Sequence, residues 1–205
     1  MKQLAKENNN TPEVYNKIFT ERKDKGVDEF DLKRWQRLIK YYRGGRFIDL
    51  GCLDSLAPVL AQQKYPESEV WGIDTARKAI DAMKQQYPNV YFSTDSVYET
   101  HFPKNYFSYA VAGELMEHLE DPKRFLVEAF RILKSGGILA ISTPLEEANE
   151  PGAVDSAHHL WSYSHVDMEE LLRPYGEVWI RKMGSQYFPT YKYHFPPLLA
   201  FVKKK

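Results

Sequence analysis

From Arg46 onward the chain alternates short apolar runs with stretches of helical periodicity, and this alternation restricts the fold more than any other feature. Phe47-Ile48-Asp49-Leu50 reads as a strand, followed by a helix through Leu56, Leu60 and Ala61. Val70 to Ile73 reads as a second strand, and Thr75 then caps a helix carrying Ala79, Ile80 and Met83. Val90 to Phe92 and Phe107 to Ala112 give a third and a fourth strand. Asp121-Pro122 opens a helix through Phe125, Leu126, Ala129 and Leu133, halted at Ser135-Gly136-Gly137 before a fifth strand over Ile138 to Ser142. Strands and helices in strict succession predict βαβ units and a mostly parallel sheet. Right-handed crossovers then set helices on both faces and a ligand crevice at the carboxyl ends of the strands.

Both flanks of this core are patterned differently. Thr11-Pro12-Glu13 has the cap, proline and acid of a helix start, and that helix is expected to reach about Lys25. Leu32, Trp35, Leu38, Ile39 and Tyr42 recur at helical spacing and predict a second helix ending before Gly44-Gly45. Ser164-His165-Val166-Asp167 fits a capping box ahead of a helix through Met168, Leu171 and Leu172. Glu177 to Met183 and Leu198 to Val202 read as closing strands, with Gly184 to Pro197 crossing the pocket mouth between them.

A chain of 205 residues suits one domain. Three parts are expected within it: a helical cap over 1–45, a cofactor-binding core over 46–142 and a substrate-side half over 143–205. With 28 basic and 28 acidic residues there is no net field to favour nucleic acid. No run of eighteen apolar residues occurs, and the polar start MKQLAKENNN lacks the apolar core of a signal peptide, so a cytoplasmic protein without a membrane partner is expected. Cys52, the one cysteine, has no partner for an internal disulfide.

Three positions carry chemistry at the expected crevice. The turn after the first strand, Gly51-Cys52-Leu53-Asp54-Ser55, lets backbone approach a ligand, and Asp49 at the strand end can hold the turn or accept from the ligand. Asp74, beside Thr75, ends the second strand roughly twenty residues on, where a carboxylate can accept from both hydroxyls of a ribose; a dipole-stabilised helix start is the competing account. Asp95 could accept an adenine amine while backbone at Ser96 serves the ring, or could be a solvated turn acid.

The run from Phe107 to Pro144 closely resembles the class I S-adenosylmethionine-dependent methyltransferases of the ubiquinone-biosynthesis-like type. Glu114-Leu-Met-Glu117-His118-Leu-Glu-Asp121-Pro122, Arg131-Ile-Leu-Lys-Ser-Gly-Gly137 and Ser142-Thr-Pro144 match three of that group's motifs in order. The resemblance, over about Arg46 to Met183, implies a Rossmann-like α/β three-layer sandwich. Its sheet has seven mostly parallel strands with the last antiparallel, helices on both faces and here an N-terminal helical extension. It implies S-adenosyl-L-methionine as cofactor, leaving S-adenosyl-L-homocysteine. Asp49, Gly51, Cys52 and Leu53 then meet the cofactor's amino-acid part, Asp74 and Thr75 the ribose, and Asp95, Ser96 and Val97 the adenine. Ala112, Gly113 and Glu114 fall beside the sulfonium. The chain departs from the group's D-x-G-x-G-x-G loop at Leu53 and Ser55, where glycines belong. Leu53 is accommodated if φ stays negative and its Cβ turns outward.

Methyl transfer asks for orientation and desolvation and only sometimes for a base. His118 follows the fourth strand and has the residue type for proton transfer near neutral pH; packing on the cofactor or capping backbone is the other reading. His158 and His159 stand where the acceptor pocket is expected, and are preferred over His101, His165 and His194. No metal is expected: in the set His158, His159 and His165 with Asp155 or Asp167, the two adjacent histidines point to opposite sides of an extended chain. Trp161, Tyr163, Tyr187, Phe188, Tyr191 and Tyr193 could line a pocket for a small apolar or aromatic acceptor, or fill a core edge. Two other functions compete: a catalytically silent binding or regulatory protein, suggested by Leu53 and Ser55, and a nicotinamide-dependent oxidoreductase, which would need a G-x-G-x-x-G turn that Gly51 to Leu56 lacks.

Overall fold

A computed structural model describes residues 1–4, 7–145, 158–183 and 197–205. In chain order its elements are β1 (Lys2–Gln3), α1 (Pro12–Arg22), α2 (Glu29–Leu38), β2 (Phe47–Leu50), α3 (Ala57–Lys64), β3 (Val70–Asp74), α4 (Arg77–Gln86) and β4 (Tyr91–Thr94). There follow β5 (Phe107–Gly113), a 3-10 turn over Met116–His118, α5 (Pro122–Ile132), β6 (Leu133–Pro144), β7 (Trp161–Ser162), α6 (His165–Leu172), a second 3-10 turn over Arg173–Tyr175, β8 (Gly176–Lys182) and β9 (Pro197–Lys204).

Seven strands form one sheet in the order β4-β3-β2-β5-β6-β9-β8. β2, β3, β4, β5 and β6 pair in parallel, and β9 lies antiparallel between β6 and β8. The direction of β9 is thus the one reversal in the sheet, as the resemblance implied. Alternation along each strand feeds two separate cores. Ile48, Leu50, Ala110 and Ala112 face α5 and α6 through Phe125, Leu126, Met168 and Leu172. Phe47, Tyr109 and Val111 face α2, α3 and α4 through Trp35, Leu38, Ala61, Ile80 and Met83. Helices cover both faces, and the strand order turns back between β2 and β5, which opens the crevice there.

Several boundaries differ from the pattern reading for local reasons. α1 ends at Arg22, short of Lys25. α5 stops at Ile132, and Leu133 already pairs with Phe107. The glycine pair is therefore a bulge inside β6, not the gap before it: pairing jumps from Phe107 and Leu133 to Tyr109 and Ile138, with Gly136 at φ +75°. Thr75 does not cap α4, whose cap position is Ala76 and has no side-chain bond of its own. The Asp74 carboxylate takes the Ala76 amide at 2.8 Å, and Asn16 of α1 takes the Lys78 amide at 2.8 Å. The capping box at Ser164 and Asp167 forms as read, with each side chain accepting from the other residue's amide.

α2 is fixed to the sheet by one buried polar contact, the Tyr109 hydroxyl donating to the Leu38 carbonyl at 2.5 Å. Removing that hydroxyl leaves a buried carbonyl without its donor. Tyr109→Phe is expected to lower stability by about 1–3 kcal/mol in urea unfolding; an unchanged midpoint contradicts this anchoring.

Candidate active site

The turn after β2 is shaped by its own backbone and by Asp74. The amides of Gly51 and Cys52 both donate to the Ile73 carbonyl at 2.9 Å, folding the chain back across the end of β3. Gly51 sits at φ +73°, which favours glycine, and a Cβ there would also push on the Leu115 side chain, 2.6 Å from its Cδ1. The Asp74 carboxylate accepts from the Leu53 amide at 2.9 Å through one oxygen and from Ala76 through the other. Burial pushes its pKa up, and the Ala76, Leu53 and Thr75 amides oppose that rise. A carboxylate offers about four acceptor positions, so with these amides bound Asp74 still keeps capacity for a ribose hydroxyl.

Leu53 adopts φ +42°, so the outward rotation at negative φ anticipated from sequence does not occur. Its side chain packs on the cluster formed by Phe19 of α1 with Ala76 and Ala79 at the start of α4. The residue that occupies a glycine position therefore ties the loop to α1. Together with α2 this helix roofs a cleft of about 1080 Å³ at the switch point, lined from above by Tyr15, Ile18, Arg34 and Trp35.

Other expected residues are placed as follows. Gly51, Cys52, Leu53, Asp74, Thr75, Ser96, Val97, Gly113, Glu114 and the three histidines 118, 158 and 159 line the cleft, while Asp49, Asp95 and Ala112 do not. Asp49 lies beneath the turn, 2% exposed, with Oδ2 unbonded. Burial raises its pKa from 3.8 to about 7; the Ser55 hydroxyl opposes this, the Asp74 charge adds to it and Arg34 opposes it. Asp95 is engaged within its own turn: Oδ1 accepts from the Ser96 amide at 2.9 Å and Oδ2 meets His101 Nδ1 at 2.5 Å. Cys52 is buried, and burial followed by the Asp49 and Asp74 charges pushes its thiol well up.

At the other end of the cleft, β5 runs out at Gly113, and Glu114 follows at φ +50°. The Glu114 amide donates to the Ser142 carbonyl at 2.9 Å, and its carboxylate lies 3.4 Å from Arg34 Nη1. The chain from His158 to Tyr163 is then stitched onto the turn that follows. The Leu160 amide donates to the Glu117 carbonyl at 2.7 Å, Trp161 Nε1 to Leu119 at 2.7 Å and the Tyr163 hydroxyl to Met116 at 3.1 Å. Trp161 and Tyr163 thus serve as struts and do not line the cleft; Tyr187, Phe188, Tyr191 and Tyr193 lie outside the described residues. Asn10 completes the stitch, its Nδ2 donating to the carbonyls of His118 and His158 at 2.8 and 2.9 Å.

This brings the His118 and His159 rings to 4.8 Å, edge to face. Burial above all pulls both imidazoles down to about 4, so they are neutral at physiological pH and neither is the near-neutral base that the residue type suggested for His118. Arg34, Glu117 and Asn10 were not singled out from sequence. Glu117 was legible as part of the Glu-His pair, whereas Asn10 stood in a polar run with no periodicity.

A Rossmann-like sheet with its one reversed strand at β9, and a carboxylate at the tip of β3 facing the cleft, is the arrangement that the resemblance implied. Residues 48–141 match the family described as a methyltransferase domain. It is 30% identical over 112 residues to an uncharacterized methyltransferase of Schizosaccharomyces pombe, covering 49% of this chain and 40% of that one. It is 26% identical over 144 residues to a probable S-adenosylmethionine-dependent methyltransferase of Mycolicibacterium smegmatis, covering 69% and 55%. The chain thus spans about half the length of these relatives. Among solved structures, an S-adenosylmethionine-dependent methyltransferase from Thermotoga maritima superposes with a TM-score of 0.68 at 15% identity, covering 95% of this chain and all of that one.

Two outcomes test this geometry. At an ordinary position alanine is more stable than glycine, but at φ +42° the order reverses. Leu53→Ala is therefore expected to lose more stability than Leu53→Gly, by about 1 kcal/mol in thermal or urea unfolding; the opposite order contradicts the left-handed turn. For Asp49 the folded-state pKa lies above the unfolded one, so its contribution to stability is greatest below about 3.8 and is lost as pH rises to about 7. Asp49→Asn removes that loss. The stability of the variant minus that of the parent should climb between pH 4 and pH 7 by an amount on the order of a few kcal/mol and then level off. Parallel pH profiles contradict a buried Asp49 charge.

Proposed function

We propose that this protein transfers a methyl group from S-adenosylmethionine to a small-molecule acceptor held at the histidine end of the same cleft. The observation that carries the reading is the position of Asp74, which is buried at the tip of β3, opens onto the cleft and keeps acceptor capacity after holding Leu53 and Ala76. The orphaned Oδ2 of Asp49 lies beneath the turn, and a cationic amino-acid portion nearby would favour its ionised form. Both features fit the cofactor. Bound, S-adenosylmethionine supplies the methyl group on a sulfonium, and the protein's own task is positioning and water exclusion. The roof of α1 and α2 excludes water, Ser96 and Val97 border the adenine side, and Gly113 and Glu114 lie where the sulfonium would reach.

A division of labour follows. Residues 1–45 cap the cleft, 46–142 hold the cofactor, and 143–205 with His158 and His159 border the acceptor. His118 and His159 act as neutral polar walls for the acceptor in place of strong bases. Within the described residues no helix is long and apolar enough to cross a membrane, and the balanced charge favours a small molecule over nucleic acid. A catalytically silent role was suggested by Leu53 and Ser55; both border the cleft, and Leu53 also packs toward α1.

Calorimetric titration of S-adenosylhomocysteine tests the cofactor, and transfer of a labelled methyl group to a metabolite pool tests the activity. Asp74→Asn is expected to weaken S-adenosylhomocysteine binding at least about tenfold, the loss of a charge-assisted pair of hydrogen bonds, and to abolish transfer at subsaturating cofactor. Absence of binding to the parent protein at millimolar ligand overturns the reading.

A further inference from the structure

Glu117, His118 and His159 converge from two segments of chain that the struts at Leu160, Trp161 and Tyr163 hold together. Their ligand-type atoms all lie within 4.8 Å of one another. Glu117 is 1% exposed, yet neither carboxylate oxygen has a hydrogen-bond partner. The Thr143 hydroxyl, also without a partner, comes near enough to influence Glu117 but stays outside hydrogen-bond geometry. His159 Nδ1 is likewise buried and unbonded. A buried carboxylate left this way is costly unless something positive meets it.

The orientation of His118 sharpens the point. Its Nδ1 lies 3.0 Å from the His158 carbonyl, so Nδ1 carries the proton and donates it. Nε2 is then a lone pair, and it stands 3.9 Å from Glu117 Oε1. Burial and the neighbouring Glu114 charge favour a proton on Glu117, so at most that one proton lies between the two atoms. A metal cation can take that proton's place, and an imidazole that donates its far N–H to a backbone carbonyl is the ordinary support of a metal ligand.

We propose that Glu117, His118 and His159 bind one divalent transition-metal ion, with zinc and manganese as the ions suited to two imidazoles and a carboxylate. Metal–ligand bonds of roughly 2.0–2.2 Å set ligand atoms about 3–4 Å apart, so atoms now within 4.8 Å of one another must draw in slightly around an ion. All three residues border the cleft, so the remaining coordination positions open toward it. The set differs from the one weighed from sequence, because it takes its second histidine from position 118 in place of His158 or His165. This site stands on its own side chains and does not depend on the methyltransferase reading.

The test is calorimetric titration of Zn²⁺ and Mn²⁺ into chelator-stripped full-length protein, with Co²⁺ absorption as a readout of the ligand set. One equivalent is expected to bind to the parent protein, raise its melting temperature and restore it to the stripped value on adding chelator. His159→Ala, at the rim of the cleft, and Glu117→Gln are each expected to weaken binding at least about tenfold and to alter the Co²⁺ spectrum, with circular dichroism establishing that each variant is folded. A titration of S-adenosylhomocysteine runs in parallel. Metal uptake lost in the variants supports the site whether or not S-adenosylhomocysteine binds. Absence of a stoichiometric isotherm, or an isotherm unchanged in both variants, overturns it even if S-adenosylhomocysteine binds normally.

Discussion

The Asp74 carboxylate is the contact on which the cofactor end of the molecule depends. One oxygen takes the amide of Leu53 and the other that of Ala76, so a single side chain sets both the turn after β2 and the start of α4. Burial alone makes an ionised acid expensive, and the convergent amides reduce that expense. The same arrangement leaves Asp74 pointing at the cleft with unused lone pairs. A group that organises the fold is thereby also the group best placed to bind a ribose.

The roof is coupled to this anchor through Leu53. The left-handed backbone there carries strain of about 1–3 kcal/mol, and packing against Phe19, Ala76 and Ala79 offsets it. Asn16 adds a second tie by accepting from the Lys78 amide, so α1 is joined to α4 by polar as well as apolar contact. Loop, roof and helix start therefore respond together. A glycine in place of Leu53 would free the turn but sever one of the two links to the roof.

The strands and the two-faced cover were legible because burial on both faces forces continuous apolar runs, as at Phe47 to Leu50, and amphipathic helices announce their period. The positions of Asp74, Gly51 and the histidine-bearing segment were legible for a related reason, since strand ends fix where loops emerge. What could not be read was conformation and distant pairing. No pattern shows that Leu53 takes positive φ, that Asp95 turns to His101 six residues on, or that Thr75 yields its capping role to Asp74. Nor does any periodicity join Asn10 to His118 and His158, which are 108 and 148 residues away, or set His118 against His159. Those contacts arise from the stitch at Leu160 to Tyr163 and exist only once the sheet has formed.

The central claim is that Asp74 organises the turn and holds the nucleoside of the cofactor at once. A crystal structure of the full chain with S-adenosylhomocysteine decides it most directly. The account predicts the ribose hydroxyls within hydrogen-bond distance of Asp74, the adenine beside Ser96 and Val97, and Leu53 still at positive φ with its side chain against Phe19. A nucleoside bound elsewhere in the cleft, or an Asp74 carboxylate that releases Leu53 to meet it, would contradict the account.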